Sequence, residues 1–322
     1  MKAFVYTGPG EAEVKEIADP EIGPTEVLVR PKMVGICHSD FDLLDGNYIL
    51  PFEYPVTPGH EWMGEIVEVG SAVSGFDVGD RVAGECSVAD DQHFGFTIDG
   101  AMSELMRVES AWLHKLPEGM SDTVGALIEP FTVAYGATDK IDASDDVVVF
   151  GAGPIGLCAV VSAAGKGGRV ILVEPDAQRR ELGKELGASD TVDPMNSDVV
   201  QEVMSLTGGK GATRVIEATG RPQVMAQTLL VACYGGYITN IGINVGDTAE
   251  ALLGLIVEKS LTIRGQVGSP GVWPQAIKFL GRQSVDLSKI VSQQFGLEDA
   301  RAALDASAAR DVNIKIHVRP QG

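Results

Sequence analysis

Three short stretches of this chain carry side chains able to hold a metal ion: Cys37-His38-Ser39-Asp40, His60-Glu61 after Pro58-Gly59, and Glu129-Pro130. A thiolate, an imidazole and a carboxylate together suit Zn²⁺ and can leave a coordination position open for a substrate. Each also has an ordinary reading. A lone cysteine is usually a small buried hydrophobe, a lone histidine usually a hydrogen-bonded structural residue, and Glu129 fits a helix start. Spacing alone does not decide between the two. The four cysteines, Cys37, Cys86, Cys158 and Cys233, include no CxxC pair. No structural zinc is therefore expected, and so few thiols fit a reducing cytoplasm better than a disulfide framework.

A second constellation is Gly151-Ala152-Gly153-Pro154-Ile155-Gly156. GxGxxG is weak by itself. Here it follows the apolar run Val147–Phe150, opens a helical stretch, and is followed by Glu174 at the end of the next apolar run. That context defines a dinucleotide site. Gly151 permits the tight turn, Gly153 lets the backbone approach a pyrophosphate, and Gly156 lets helix and strand pack closely. The helix N-terminus at Pro154 and Ile155 supplies amide donors for phosphate. Glu174 would accept hydrogen bonds from ribose hydroxyls and repel a 2′-phosphate, which favours NAD over NADP. Arg179 and Arg180 close by leave NADP open.

The elements that must position these residues divide the chain. From Asp146 onward, apolar strands at about 147–150, 169–174, 191–192, 214–217, 237–241 and 261–263 alternate with helices at about 154–164, 176–186, 198–206, 223–232 and 249–258. The fold class is α/β, with a doubly wound, six-stranded parallel Rossmann sheet. The first 120 residues instead show short alternating runs punctuated by Pro and Gly, as in a β-rich, partly closed barrel. The expected division is residues 1–130 and 266–322 in a β-rich catalytic domain and 131–265 in the dinucleotide-binding domain. The chain has 322 residues, 25 Lys+Arg and 45 Asp+Glu, for a formal charge of −20, which disfavours nucleic acid and anionic membrane as partners. The uncharged run 147–165 is broken by glycines and Pro154, so it reads as strand, turn and helix rather than a membrane span. The N-terminal residues run quickly into charge and carry no signal-peptide pattern.

Gly35-Ile36-Cys37-His38-Ser39-Asp40, Pro58-Gly59-His60-Glu61, Gly79-Asp80-Arg81-Val82, Ile128-Glu129-Pro130 and Gly151 through Gly156 occur in one order. On these motifs the chain resembles the zinc-dependent medium-chain dehydrogenase/reductases, the alcohol and polyol dehydrogenase family, in a form lacking the structural-zinc lobe. The resemblance covers essentially the whole chain outside that lobe. It implies a GroES-like catalytic domain. It implies one catalytic Zn²⁺ held by Cys37, His60 and Glu129, with Glu61 as an alternating ligand and Asp40 orienting His60. Ser39 would begin proton removal from the substrate hydroxyl. The family often ends this relay with a histidine three residues later, where this chain has Asp42. His38 sits where some members place a basic residue on the pyrophosphate; an exposed loop histidine is the other reading. Arg81 would support the inner shell or form a plain surface salt bridge.

Between Val82 and Ala101 the lobe is shortened, leaving Cys86 as a buried thiol and His93, Phe94 and Phe96 in the loop. Tyr48, Phe52, Trp62, Phe94 and Trp273 are either core or pocket walls. The implied activity is NAD(P)-linked oxidation of a secondary alcohol (a polyol, sugar or cyclitol) to a ketone. Simple alcohols, threonine-type amino alcohols, aldehyde or ketone reduction and a non-catalytic NAD-binding role are the alternatives. The intact metal and glycine sets argue against the last, and against zinc-free reductases of the same superfamily. A small-molecule alcohol is the expected partner, and a homodimer or homotetramer the expected assembly.

Overall fold

A computed structural model describes residues 1–48, 50–89, 92–269, 271–309 and 311–321. They form two compact units. One comprises Met1–Glu129, Trp273–Gly281 and Val291–Gly322; the other comprises Pro130–Val272 and Arg282–Ile290.

The first unit is built on a seven-stranded sheet. Its order is Val291–Gly296, Lys315–Arg319, Glu26–Gly35, Glu61–Val69, Arg81–Gly84 and Leu113–Lys115, with Met106–Glu109 also pairing with Glu26–Gly35. In Glu26–Gly35 the alternation of the sequence becomes alternation of faces: Val27, Val29, Pro31 and Met33 are buried, and the residues between them are half-buried. Pro31 cannot donate to a ladder. It is tolerated inside a central strand because the pairing with Glu61–Val69 shifts register between Pro31 and Met33. After this irregularity the register sets Gly35 opposite Glu61. Cys37 lies two residues beyond one end of that pair and His60 one residue before the other, so strand pairing alone brings them together. The core beneath includes Val29, Val34, Trp62, Ile66, Val82, Phe94, Ile316 and Val318.

The second unit holds a six-stranded parallel sheet in the order Asp190–Val192, Arg169–Val173, Asp146–Phe150, Ala212–Glu217, Ala232–Asn240 and Thr262–Gly265. Numbered along the chain this is 3-2-1-4-5-6, the doubly wound arrangement of a Rossmann sheet. Val147, Val148, Val149, Val170, Ile171 and Leu172 are fully buried, as strands covered on both faces require. The helices start where local chemistry allows. Pro154 stands in the first turn of Pro154–Gly165, the Asp176 side chain accepts the Arg179 N–H at Ala177–Glu185, and Asp198 accepts the Val200 and Gln201 N–H groups at Val199–Leu206. The helix expected over 249–258 forms only over Gly254–Glu258. Glu250 to Leu253 are exposed and no side chain caps the start, so little burial offsets the cost of ordering another turn. Among the described residues no helix is long and apolar enough to cross a membrane.

Candidate active site

The Cys37 Sγ, a His60 ring nitrogen and a Glu61 carboxylate oxygen all lie within 4.8 Å of one another. His60 and Glu61 are buried and Cys37 is half-buried. The turn that carries Cys37 is fixed from behind by Asp40 in the helix Ser39–Leu44. Its Oδ2 accepts the Cys37 N–H at 2.8 Å, and its Oδ1 lies 3.6 Å from His60 Nδ1, beyond hydrogen-bond length. Burial disfavours charge on His60, but Asp40 and the Cys37 sulfur outweigh it and hold the imidazole pKa well above its usual value. The Ser39 hydroxyl receives the Cys37 thiol at 3.8 Å, so Ser39 faces the same cluster.

Lys315 enters from the strand Lys315–Arg319. It is 4% exposed, and its Nζ forms an ion pair with the Glu61 carboxylate. Sequence reasoning missed this residue. Its strand reads Lys-Ile-His-Val-Arg, and nothing in that alternation says that the face carrying Lys315 and His317 is buried as fully as the face carrying Ile316 and Val318. His317 is fully buried, and its ring nitrogens have no hydrogen-bond partner among the described residues. Burial, then Lys315, lowers its pKa to about 3.

Glu129 lies in the first turn of the helix Ile128–Ala137. Its carboxylate is outside the group of three, while Glu61, which the resemblance implied as an alternating ligand, is inside it. The cause is local: Glu61 adjoins His60, and Lys315 pins its carboxylate. Glu129 still senses the cluster. Burial pushes its carboxyl up to about 7, with His60, Glu61, Lys315 and Asp40 as its charged neighbours. Thiolate, imidazole and carboxylate donors gathered in a buried place fit a zinc ion in charge and softness.

Phe96 packs on the His60 ring at 4.5 Å and stacks on Tyr48 at 4.2 Å. Trp62, Phe94 and Trp273 are core: each is at most 2% exposed, Trp62 packs on Phe94, and Trp273 stacks on His114. Tyr48 and Phe52 are half-buried. Arg81 pairs with Asp122 at 2.7 Å, the surface salt bridge of the two readings. His38 is exposed beside Phe41, and Asp42 is half-buried in the first turn of its helix.

In the second unit Gly151 has a φ of 94°, and a Cβ at Gly156 would meet the Gly151 carbonyl oxygen at 1.9 Å. A Cβ at Gly153 would meet nothing within 4 Å, so this glycine borders open space at the helix N-terminus. Pro154 and Ile155 form the first turn, both half-buried. Glu174 is buried; its carboxylate accepts the Ala152 N–H at 2.7 Å and the Asp176 N–H at 3.1 Å. Arg180 donates to the Glu174 and Pro175 carbonyls and pairs with Asp193. Arg179 lies in the first turn of Ala177–Glu185, half-buried.

Residues 23–118 match the alcohol dehydrogenase GroES-like domain, and residues 154–282 the zinc-binding dehydrogenase family. The chain is 32% identical to an (R,R)-butanediol dehydrogenase of Bacillus subtilis, over 99% of this chain and 100% of that one. It is 31% identical to a sorbitol dehydrogenase of Halalkalibacterium halodurans, over 99% of each. A zinc-binding dehydrogenase from Sinorhizobium meliloti, solved with NADP bound, superposes with a TM-score of 0.92 at 29% identity over 99% of both chains. The chain belongs to the zinc-binding medium-chain alcohol and polyol dehydrogenases. It is an oxidoreductase of a zinc-binding family, with a Rossmann unit and a GroES-like unit.

Proposed function

We propose that this chain oxidises a secondary alcohol of the polyol or vicinal diol class to a ketone with NAD⁺. The observation that carries the reading is the convergence of the Cys37, His60 and Glu61 donor atoms within 4.8 Å, in a chain whose relatives include proteins named for sorbitol and butanediol. Cys37, His60 and Glu129 would hold one zinc ion, with Glu61 as the alternate carboxylate restrained by Lys315. Bound zinc would supply Lewis acidity to the reacting oxygen, and a bound nicotinamide would supply the hydride acceptor.

The chain's own residues do the rest. Asp40 fixes the ring of His60 and the turn of Cys37. The Ser39 hydroxyl accepts the proton of the reacting hydroxyl as it gives up its own, which passes through water or ribose hydroxyls to Asp42 as the base. Amides at the start of Pro154–Gly165 bind the pyrophosphate, beside the open space at Gly153. Arg179 adds positive charge near the phosphates. Glu174, already held by two backbone N–H groups, presents a carboxylate to the ribose hydroxyls and repels a 2′-phosphate. Arg180 is committed to backbone carbonyls and Asp193, which supports NAD over NADP. With no cysteine pair to build a second site, the zinc content is one ion per chain. A homodimer or homotetramer would form at the edge strand Thr262–Gly265, in the unit that also exposes Ile243, Val245, Leu252, Leu253 and Val257.

The test is a metal-analysed activity screen of polyols, cyclitols and simple alcohols with NAD⁺ and NADP⁺. One zinc per chain and turnover of polyols or diols with NAD⁺ are expected, and both are lost in Cys37→Ala. Undiminished turnover by metal-free protein overturns the reading.

A further inference from the structure

The shortened segment after Val82 returns a polar pair to the neighbourhood of the metal cluster. Tyr48 Oη lies 2.8 Å from His93 Nδ1. The Tyr48 ring stacks on Phe96 with its plane within 1°, and Phe96 also packs, tilted, on the His60 ring at 4.5 Å. The Thr97 hydroxyl accepts the His93 backbone N–H at 2.8 Å, and the other packing partners are aromatic. Phe52 packs edge-on against Tyr48 at 6.4 Å, and Phe94 is buried beside His93. Both members of the pair are half-buried, so each keeps an open side.

Burial raises the Tyr48 pKa and, with His60, lowers that of His93. The phenol stays protonated and the imidazole neutral. A neutral imidazole that accepts the phenol proton at Nδ1 retains an N–H donor at Nε2, while the phenol oxygen retains lone pairs. One donor and one acceptor, set in an aromatic wall one ring away from His60, are the complement of a hydroxyl group. An apolar substrate there leaves polar atoms unmatched, and such sites discriminate against ligands lacking the hydroxyl.

We propose that Tyr48 and His93 bind a second hydroxyl of the substrate, adjacent to the carbinol that reacts, and thereby select vicinal diols and polyols over mono-alcohols. This rests on the dehydrogenase reading above and assigns its specificity to two residues.

Steady-state kinetics of the zinc-loaded full chain with NAD⁺ would compare butane-2,3-diol and sorbitol with butan-2-ol. Tyr48→Phe keeps the stack on Phe96 and removes one hydroxyl. It should lower kcat/KM for diol and polyol about tenfold, chiefly through KM, and change butan-2-ol by less than about threefold. His93→Ala should show the same bias, and the double variant should add little to either. Butan-2-ol turnover also reports that each variant is folded. Equal losses on all three alcohols, or no loss on the diol, overturn the proposal while leaving the dehydrogenase reading in place. A wild-type protein that oxidises none of them overturns that reading, and this one with it.

Discussion

Asp40 does two things at once, because one oxygen holds the Cys37 N–H and the other faces His60. Asp40→Asn preserves volume and removes the charge that orients the imidazole. Zinc affinity, read by chelator competition, should fall about 10–100-fold, the usual cost of losing an outer partner of a metal-bound histidine. Cys86 tests the electrostatics of the same region. Part of the residue reaches the surface, yet burial of the thiol pushes its pKa up to about 12. A raised thiol pKa leaves the neutral, unreactive form dominant below that pH. At pH 8 the thiolate fraction is about one in ten thousand. Iodoacetamide at pH 8 should leave Cys86 unmodified in the folded protein and alkylate it after denaturation, as read by mass spectrometry. The metal-binding residue types were legible in the sequence, but Lys315 was not. A lysine in a five-residue strand carries no mark of burial until its ion-pair partner is known.

At the scale of elements, the glycines of the second unit separate two physical roles. Gly156 lies against the Gly151 carbonyl, so an added methyl forces helix and strand apart; Gly153 faces open space. Gly156→Ala should cost about 1–3 kcal/mol of stability as well as NAD⁺ affinity. Gly153→Ala should stay within about 1 kcal/mol of wild type while weakening NAD⁺, because its methyl enters the space needed by the pyrophosphate. Thermal melts and fluorescence titration with NADH distinguish the two. The six strands of the doubly wound sheet were readable because most are short apolar runs separated by helical stretches. The 249–258 helix was overread because apolar residues there, such as Leu252 and Leu253, face outward, and composition does not reveal what an apolar residue packs against. The approach of Tyr48 to His93 joins residues 45 apart, one in an irregular segment and the other in a two-residue strand, so no local pattern announces it.

At the scale of the molecule, the sheet of the second unit ends in Thr262–Gly265, whose outer side is unpaired among the described residues. Ile263 there is 40% exposed. Ile263→Lys places a charge on this edge, a common block to strand addition. On the assembly proposed above, sedimentation should show the wild type as a dimer or tetramer and this variant as a monomer at the same concentration, with little change in melting temperature. With a charge of −20 on every copy, added salt should favour the assembled form. The pairing of Gly35 with Glu61 has a different kind of consequence. A slip of one residue along these strands would turn every side chain to the opposite face and separate the thiol from the imidazole. A refolding chain can therefore capture its ion only after segments far apart in sequence have joined in the right alignment. The moment of zinc uptake is thus a clock for that event, readable with a chromophoric chelator and independent of any turnover.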